Sequence, residues 1–162
     1  MIPNSIRATQ TRLTQAELNL ILDSHERFVT GRPGGKRASL RFANLSGLDL
    51  SRRNLADADL SASTFDGCRM IGTSLERANL FGSDLTKADL RRANLRRADM
   101  RGACLRGANL TLADLTQADF REGQVAMAPP RRGVAQRYET RIGMADQAVF
   151  AGATLDEVEF TG

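Results

Sequence analysis

Every fifth residue from Leu40 to Phe120 is Leu, Met or Phe, seventeen times without a break. Two residues ahead of each stands a small residue in fifteen of the seventeen units, eleven times Ala, so the unit repeats as a whole and not only at its apolar position. The run Ala88-Asp89-Leu90-Arg91-Arg92, Ala93-Asn94-Leu95-Arg96-Arg97 shows the form. A period held over this length dictates a repeat architecture. Five residues advance a helix by roughly 500°, which spreads the large residues around all sides and leaves no apolar stripe. A continuous strand fails as well, because an odd spacing throws every second Leu onto the opposite face.

Within one unit the small residue and the Leu lie two apart, on one face of a short extended segment. The chain must then turn once per unit to return the next pair to the same interior. The two residues after each Leu are the corner, and Gly47, Gly67, Gly72, Gly82, Gly102 and Gly107 fall there with Ser, Thr, Asp and Arg elsewhere. The backbone winds around its own core, with Leu filling the axis and Ala letting successive coils approach.

The units Ala78-Asn79-Leu80, Ala88-Asp89-Leu90, Ala108-Asn109-Leu110 and Ala113-Asp114-Leu115 resemble the pentapeptide-repeat family. The resemblance covers 38–122 and, more weakly, 148–162. It implies an all-β solenoid, a right-handed quadrilateral β-helix with four units per coil, hence about four coils from seventeen units. In that geometry Leu40, Leu60, Leu80, Met100 and Phe120 form one internal ladder, and Leu45, Phe65, Leu85 and Leu105 the next, with rungs about 4.8 Å apart. The Asn or Asp before each Leu points outward and satisfies backbone groups near the corners. Leu48 and Arg53 break the pattern where a small inward residue is expected. Burying an unpaired guanidinium is costly, so a bulge or an exit for the Arg53 head group is expected.

The chain divides into an N-terminal tail and cap over 1–36, the repeat over 37–122, an aperiodic loop or linker over 123–147, and resumed repeats over 148–162. Thr14-Gln15-Ala16-Glu17 reads as a capping box. Leu18, Ile21, Leu22, His25 and Phe28 follow at helical spacing, which predicts an amphipathic α-helical cap over about 15–29. An open solenoid end exposes apolar core and unpaired strand edge, and a lid belongs there. The order of helix, His-containing turn and Gly-rich connector resembles the leader of many bacterial members of the family. The 123–147 segment, with Ala128-Pro129-Pro130-Arg131-Arg132-Gly133, cannot form a regular coil. Beyond it Ala148-Val149-Phe150, Ala153-Thr154-Leu155 and Val158-Glu159-Phe160 restore the period. No second cap is visible. Either further coils follow in a longer polypeptide, or a second copy covers the end, since many relatives dimerise through C-terminal coils.

The chemistry is sparse. One His, no phosphate-binding loop, no dinucleotide glycine pattern and no zinc spacing argue for no catalytic, cofactor-binding or metal-ligating residues, no cofactor, and a protein that is not an enzyme. Cys68 replaces an inward Ala and Cys104 takes an outward position, so neither a disulfide nor a metal pair is expected, consistent with a cytoplasmic location. No apolar run approaches the roughly 20 residues of a membrane span.

The informative feature is charge. Residues 37–76 hold five Arg and five acids, whereas residues 77–106 hold eight cations against three acids, for +8 − 3 = +5. Arg91, Arg92, Arg96, Arg97, Arg101 and Arg106 form the densest part of this belt, and Ile71, Phe81 and Leu112 are apolar at outward positions. These residues are the candidate interaction surface. They suit a non-catalytic protein-interaction or scaffold module with an unidentified protein partner. The alternative is an anion-binding surface for nucleic acid or an acidic partner, although the belt lacks the aromatics of single-strand binders. A third reading comes from the family branch that protects DNA gyrase from quinolones by mimicking duplex DNA. Mimicry calls for a long negative face, and this chain is +4 overall.

Overall fold

A computed structural model describes residues 10–127 and 129–160. Residues 1–9 of the expected tail, Ala128 of the loop and the terminal 161–162 lie outside that description. In chain order the elements are β1 (Thr11–Arg12), α1 (Gln15–Val29), β2 (Ala43–Asn44), β3 (Asp119–Phe120), β4 (Gly123–Ala126), β5 (Tyr138–Arg141) and β6 (Glu159–Phe160).

Most of the pairing lies outside these elements, in isolated parallel bridges. Partners are twenty residues apart from Ser39↔Asp59 through Asp99↔Asp119, which is four five-residue units per repeat of the pairing. Each unit contributes the same bonds. The Leu40 N–H donates to the Asp59 carbonyl at 2.8 Å, and the Asp59 N–H donates back to Ala38 at 3.0 Å. The Ala43 N–H closes the corner onto the Leu40 carbonyl at 3.1 Å. The second corner residue takes a positive φ, as at Arg77 (56°), Arg92 (57°) and Gly67 (65°), the requirement of a type II turn.

Inside, the column residues from Leu45 to Leu95 are fully buried. Burying each large apolar side chain contributes about 1.5–3 kcal/mol relative to exposure. Polar residues at the small inward positions are satisfied by the coil below: Thr73 and Ser83 donate to the carbonyls of Leu50 and Leu60, each at 2.8 Å. The outward carboxylates and amides brace the corners, accepting from the N–H two residues on, as Asn44 does from Ser46 (3.0 Å) and Asp114 from Thr116 (3.0 Å).

The N-terminal end is closed by two devices. β1 lies parallel to β2, a strand unanticipated from the sequence, and α1 sits behind it. Thr14 and Glu17 form the capping box. Leu18 and Leu22 are fully buried in the core. Gln15 makes two 2.9 Å bonds with the backbone of Asp49. The Arg53 head group leaves the coil and meets Glu26 at 2.6 Å and Asp23, so the irregular unit anchors the cap, and Leu48 packs against the core beside it. His25 lies inside α1 rather than in the turn after it. It is fully buried, accepting from the Ala38 N–H at Nδ1 and donating from Nε2 to the Ala56 carbonyl, both at 2.9 Å. That pattern requires the neutral ring.

The aperiodic segment contains an antiparallel hairpin of β4 and β5, with Gly123↔Arg141 and Ala126↔Tyr138 in register. Parallel pairing resumes at Cys104↔Met144, earlier than the Ala148 suggested by the apolar pattern. The partner spacing is now forty, so the excursion inserts 40 − 20 = 20 residues between two coils. β3 pairs with β6 in the same way, and Phe160 packs edge-on against Phe120 at 6.0 Å.

Two outcomes are expected. Burial lowers the His25 pKa below its ordinary value of 6.5, with the Ala56 bond opposing. The folded state therefore holds the neutral ring while the unfolded chain takes up a proton. The stabilisation is complete above about pH 6.5 and declines as pH falls through that value, before the carboxylates titrate near pH 4. Urea melts at pH 7.5 and 5.5 should show this loss in the natural protein, and His25→Gln should flatten it. Gly67 has open space around it, so Gly67→Ala isolates backbone strain and should lower stability by about 1 kcal/mol in the same assay.

Candidate interaction surfaces

The six belt arginines follow four consecutive column residues: Leu90, Leu95, Met100 and Leu105. Because the pairing repeats every four units, four consecutive corners lie on four different edges of the rod. The belt encircles the rod and does not form one patch. It is also largely neutralised. Arg91 and Arg101 each grip the Asp two residues before, with bonds of 2.8 and 2.7 Å to Asp89 and 2.9 and 2.7 Å to Asp99. Arg96 reaches Asp114 at 3.2 Å, and Arg106 reaches Asp146 at 3.3 Å. Arg97 bonds Gln117 at 2.8 Å. Arg92 is exposed. The bidentate pairing holds the Asp89 carboxyl below the usual carboxylate range. Asp146 and Asp114 lie outside the 77–106 window, which is why a linear charge count overstated the free positive charge.

The three outward apolar residues divide. Leu112 is 52 % exposed. Ile71 is half-buried. Phe81 is not a free apolar point. The hairpin covers it: a Cβ on Gly123 would lie 2.5 Å from its ring, and Arg101 sits over the ring at 5.3 Å.

The hairpin's seat is built from two glycines stacked on one edge of the rod. Val125 is 1 % exposed, and a Cβ on Gly82 would meet its side chain at 2.6 Å, one on Gly102 at 3.2 Å. Arg141 is held by Glu139 and donates to the Gly82 carbonyl at 3.3 Å. These glycines are legible in the sequence only as corner residues. Their role as a slot depends on a segment more than twenty residues away. The remaining reactive side chains belong to the scaffold. Cys68 is buried, with its thiol pushed up to about 12, and Cys104 is buried as well despite its outward register. Both are free. Among the described residues no cluster of three metal-capable side chains occurs, and no helix is long and apolar enough to cross a membrane.

These features define a β-solenoid built on a five-residue unit, with its ladders internally satisfied and a hairpin strapped to one edge. The chain belongs to the pentapeptide-repeat family: the model for pentapeptide repeats matches eight copies over residues 36–77 and 73–111. Members fold as right-handed quadrilateral β-helices. Among solved structures, a pentapeptide repeat protein from Nostoc PCC 7120 is 40% identical over 60% of this chain and 78% of its own, with a TM-score of 0.49. One from the Arabidopsis thaliana thylakoid lumen is 30% identical over 65% and 79%, with a TM-score of 0.47. QnrB1, a plasmid-mediated fluoroquinolone resistance protein, is 19% identical over 71% and 68%, with a TM-score of 0.45. No curated protein matches the chain.

Gly82→Ala should push Val125 out of its slot and loosen the hairpin without unwinding the coils. Limited trypsinolysis is expected to cut faster after Arg131, Arg132 and Arg137 than in the natural protein, while the circular dichroism of the rod stays unchanged.

Proposed function

We propose that this protein is a non-catalytic interaction module: a rigid rod of about four coils, from seventeen units taken four at a time, presenting its edges to a protein partner. One observation carries the reading. The chain's single His, its two Cys, and the inward hydroxyls of Thr73 and Ser83 are all buried in the frame, and the outward carboxylates brace corners or hold arginines. The side chains left to contact others are surface ones such as Leu112, Arg92 and the hairpin. Free, buried thiols suit a reducing, cytoplasmic setting.

A second copy is a further partner in this reading. The last column residues are the least covered, Leu155 at 41 % and Phe160 at 56 %, with Val149 at 46 % beside them. The anion-binding alternative is weakened by the dispersal and pairing of the belt. A duplex-DNA mimic would need the negative face that a net charge of +4 does not supply.

Affinity capture with the natural chain and with Leu112→Glu and Ile71→Glu tests the module. A bound protein lost on either substitution is expected, and retention of every partner by both variants would remove those positions from the surface. Light scattering across concentrations tests the second copy: a dimer that Phe160→Glu converts to monomer is expected, and a natural chain monomeric throughout refutes self-association. Heparin or DNA affinity that falls steeply with salt would restore the anion-binding alternative.

A further inference from the structure

The hairpin does more than cover Phe81. It walls a cleft of about 220 Å³ against the same edge of the rod, lined by Phe42, Ala62 and Phe81 on the rod and by Val125, Pro130 and Tyr138 on the hairpin. Phe42, Ala62, Gly82 and Gly102 occupy the same corner position in successive coils, with rungs about 4.8 Å apart. Val125 fills the space over the two glycines, and Phe42 fills its own. The half-buried Ala62, whose carbonyl accepts from the Gln10 side chain at 2.9 Å, is the rung left as a notch. Small-molecule and cofactor sites run to about 300–1,000 Å³, so this volume suits one large side chain.

The exposed charge flanking the notch is mainly positive, the nearby Asp84 being buried. Arg131 and Arg137 line an adjoining depression of the hairpin, which shares Gln136 with the cleft, and with Arg132 they are exposed and without an acidic partner among the described residues. The nearby Glu139 is already held by Arg141. Arg41, also on the cleft, is about half-exposed and reaches Asp59 only at 3.7 Å. Tyr138 is 60 % exposed. Two of the three rings at the cleft already carry guanidinium groups, Arg101 over Phe81 at 5.3 Å and Arg41 over Phe42 at 5.9 Å, so Tyr138 alone offers an open face and successive bases could not stack. That favours a peptide over a single-stranded nucleic acid, whose affinity depends on such stacking.

We propose that this cleft docks an extended acidic segment of a protein partner. One large apolar side chain enters the notch over Ala62, and the flanking carboxylates meet Arg41, Arg131 and Arg137. The inference rests on the interaction-module reading and gives it a site and a partner chemistry.

The test uses the full chain and four fluorescein-labelled peptides, each with a central Leu, Ile, Phe or Tyr between runs of glutamate. At least one should bind by anisotropy, and amide shifts should centre on Ala62 and Val125. Affinity should fall about tenfold with Ala62→Leu, which fills the notch, and again with the exposed pair Arg131→Glu and Arg137→Glu. Lys87→Glu, exposed on another edge, should leave it unchanged. Failure of all four peptides to bind, binding insensitive to Ala62→Leu, or tighter binding of oligothymidine would each overturn the proposal. If the peptides fail while a cellular partner is still lost on Leu112→Glu, the cleft is wrong and the module reading stands. If neither occurs, both fall.

Discussion

One hydrogen bond sets the architecture: from Leu40 to Met100 the amide of each column residue donates to the carbonyl nineteen residues on, as from Leu75 to Asn94 at 2.7 Å, and from Leu105 to Leu115 to the one thirty-nine on, across the inserted excursion. It links consecutive coils at the height of the Leu, so the backbone pairing and the apolar column are the same event. A departure from the five-residue spacing within a coil would break both at once. The corner turn, closed by the amide of the next small residue onto the column carbonyl, is what permits that bond to recur, and it requires a positive φ once per unit. Cationic residues such as Arg77 and Arg92 accept that conformation alongside glycine, so corner chemistry is less restricted than a composition argument suggests.

The same constraint consumes most of the polar chemistry. A parallel stack leaves each corner with amides in need of acceptors, and the Asn or Asp before the Leu supplies one two residues on. Hydroxyls that replace an inward Ala donate to a carbonyl of the coil below. Side chains that look reactive in a linear sequence are thereby part of the frame. Arg53 is the instructive exception. It violates the inward-small rule, but its head group leaves the coil to join Asp23 and Glu26 of the cap. A break in the pattern marks a tertiary contact.

Surface properties followed the sequence less well. The belt from Arg91 to Arg106 is contiguous in sequence because consecutive corners are contiguous, but in space four units carry the chain once around the rod. Its countercharges come in part from Asp114 and Asp146, in neighbouring coils. Phe81 was exposed by register and is covered by Gly123, which belongs to the excursion. Each discrepancy has one cause: register predicts direction relative to the rod and says nothing of what a distant segment lays across it.

By itself the sequence determined the rod, its axis of Leu, its corners and its capping helix, because these arise from interactions repeated at a fixed short spacing. Only the tertiary structure decided that the twenty inserted residues fold back as a hairpin, that Gly82 and Gly102 receive Val125, and that Phe42, Phe81 and Tyr138 meet at one cleft. No period relates those residues. Their meeting depends on shape complementarity between a slot with no side chains and a strand that fits it, a match visible only when both are in place.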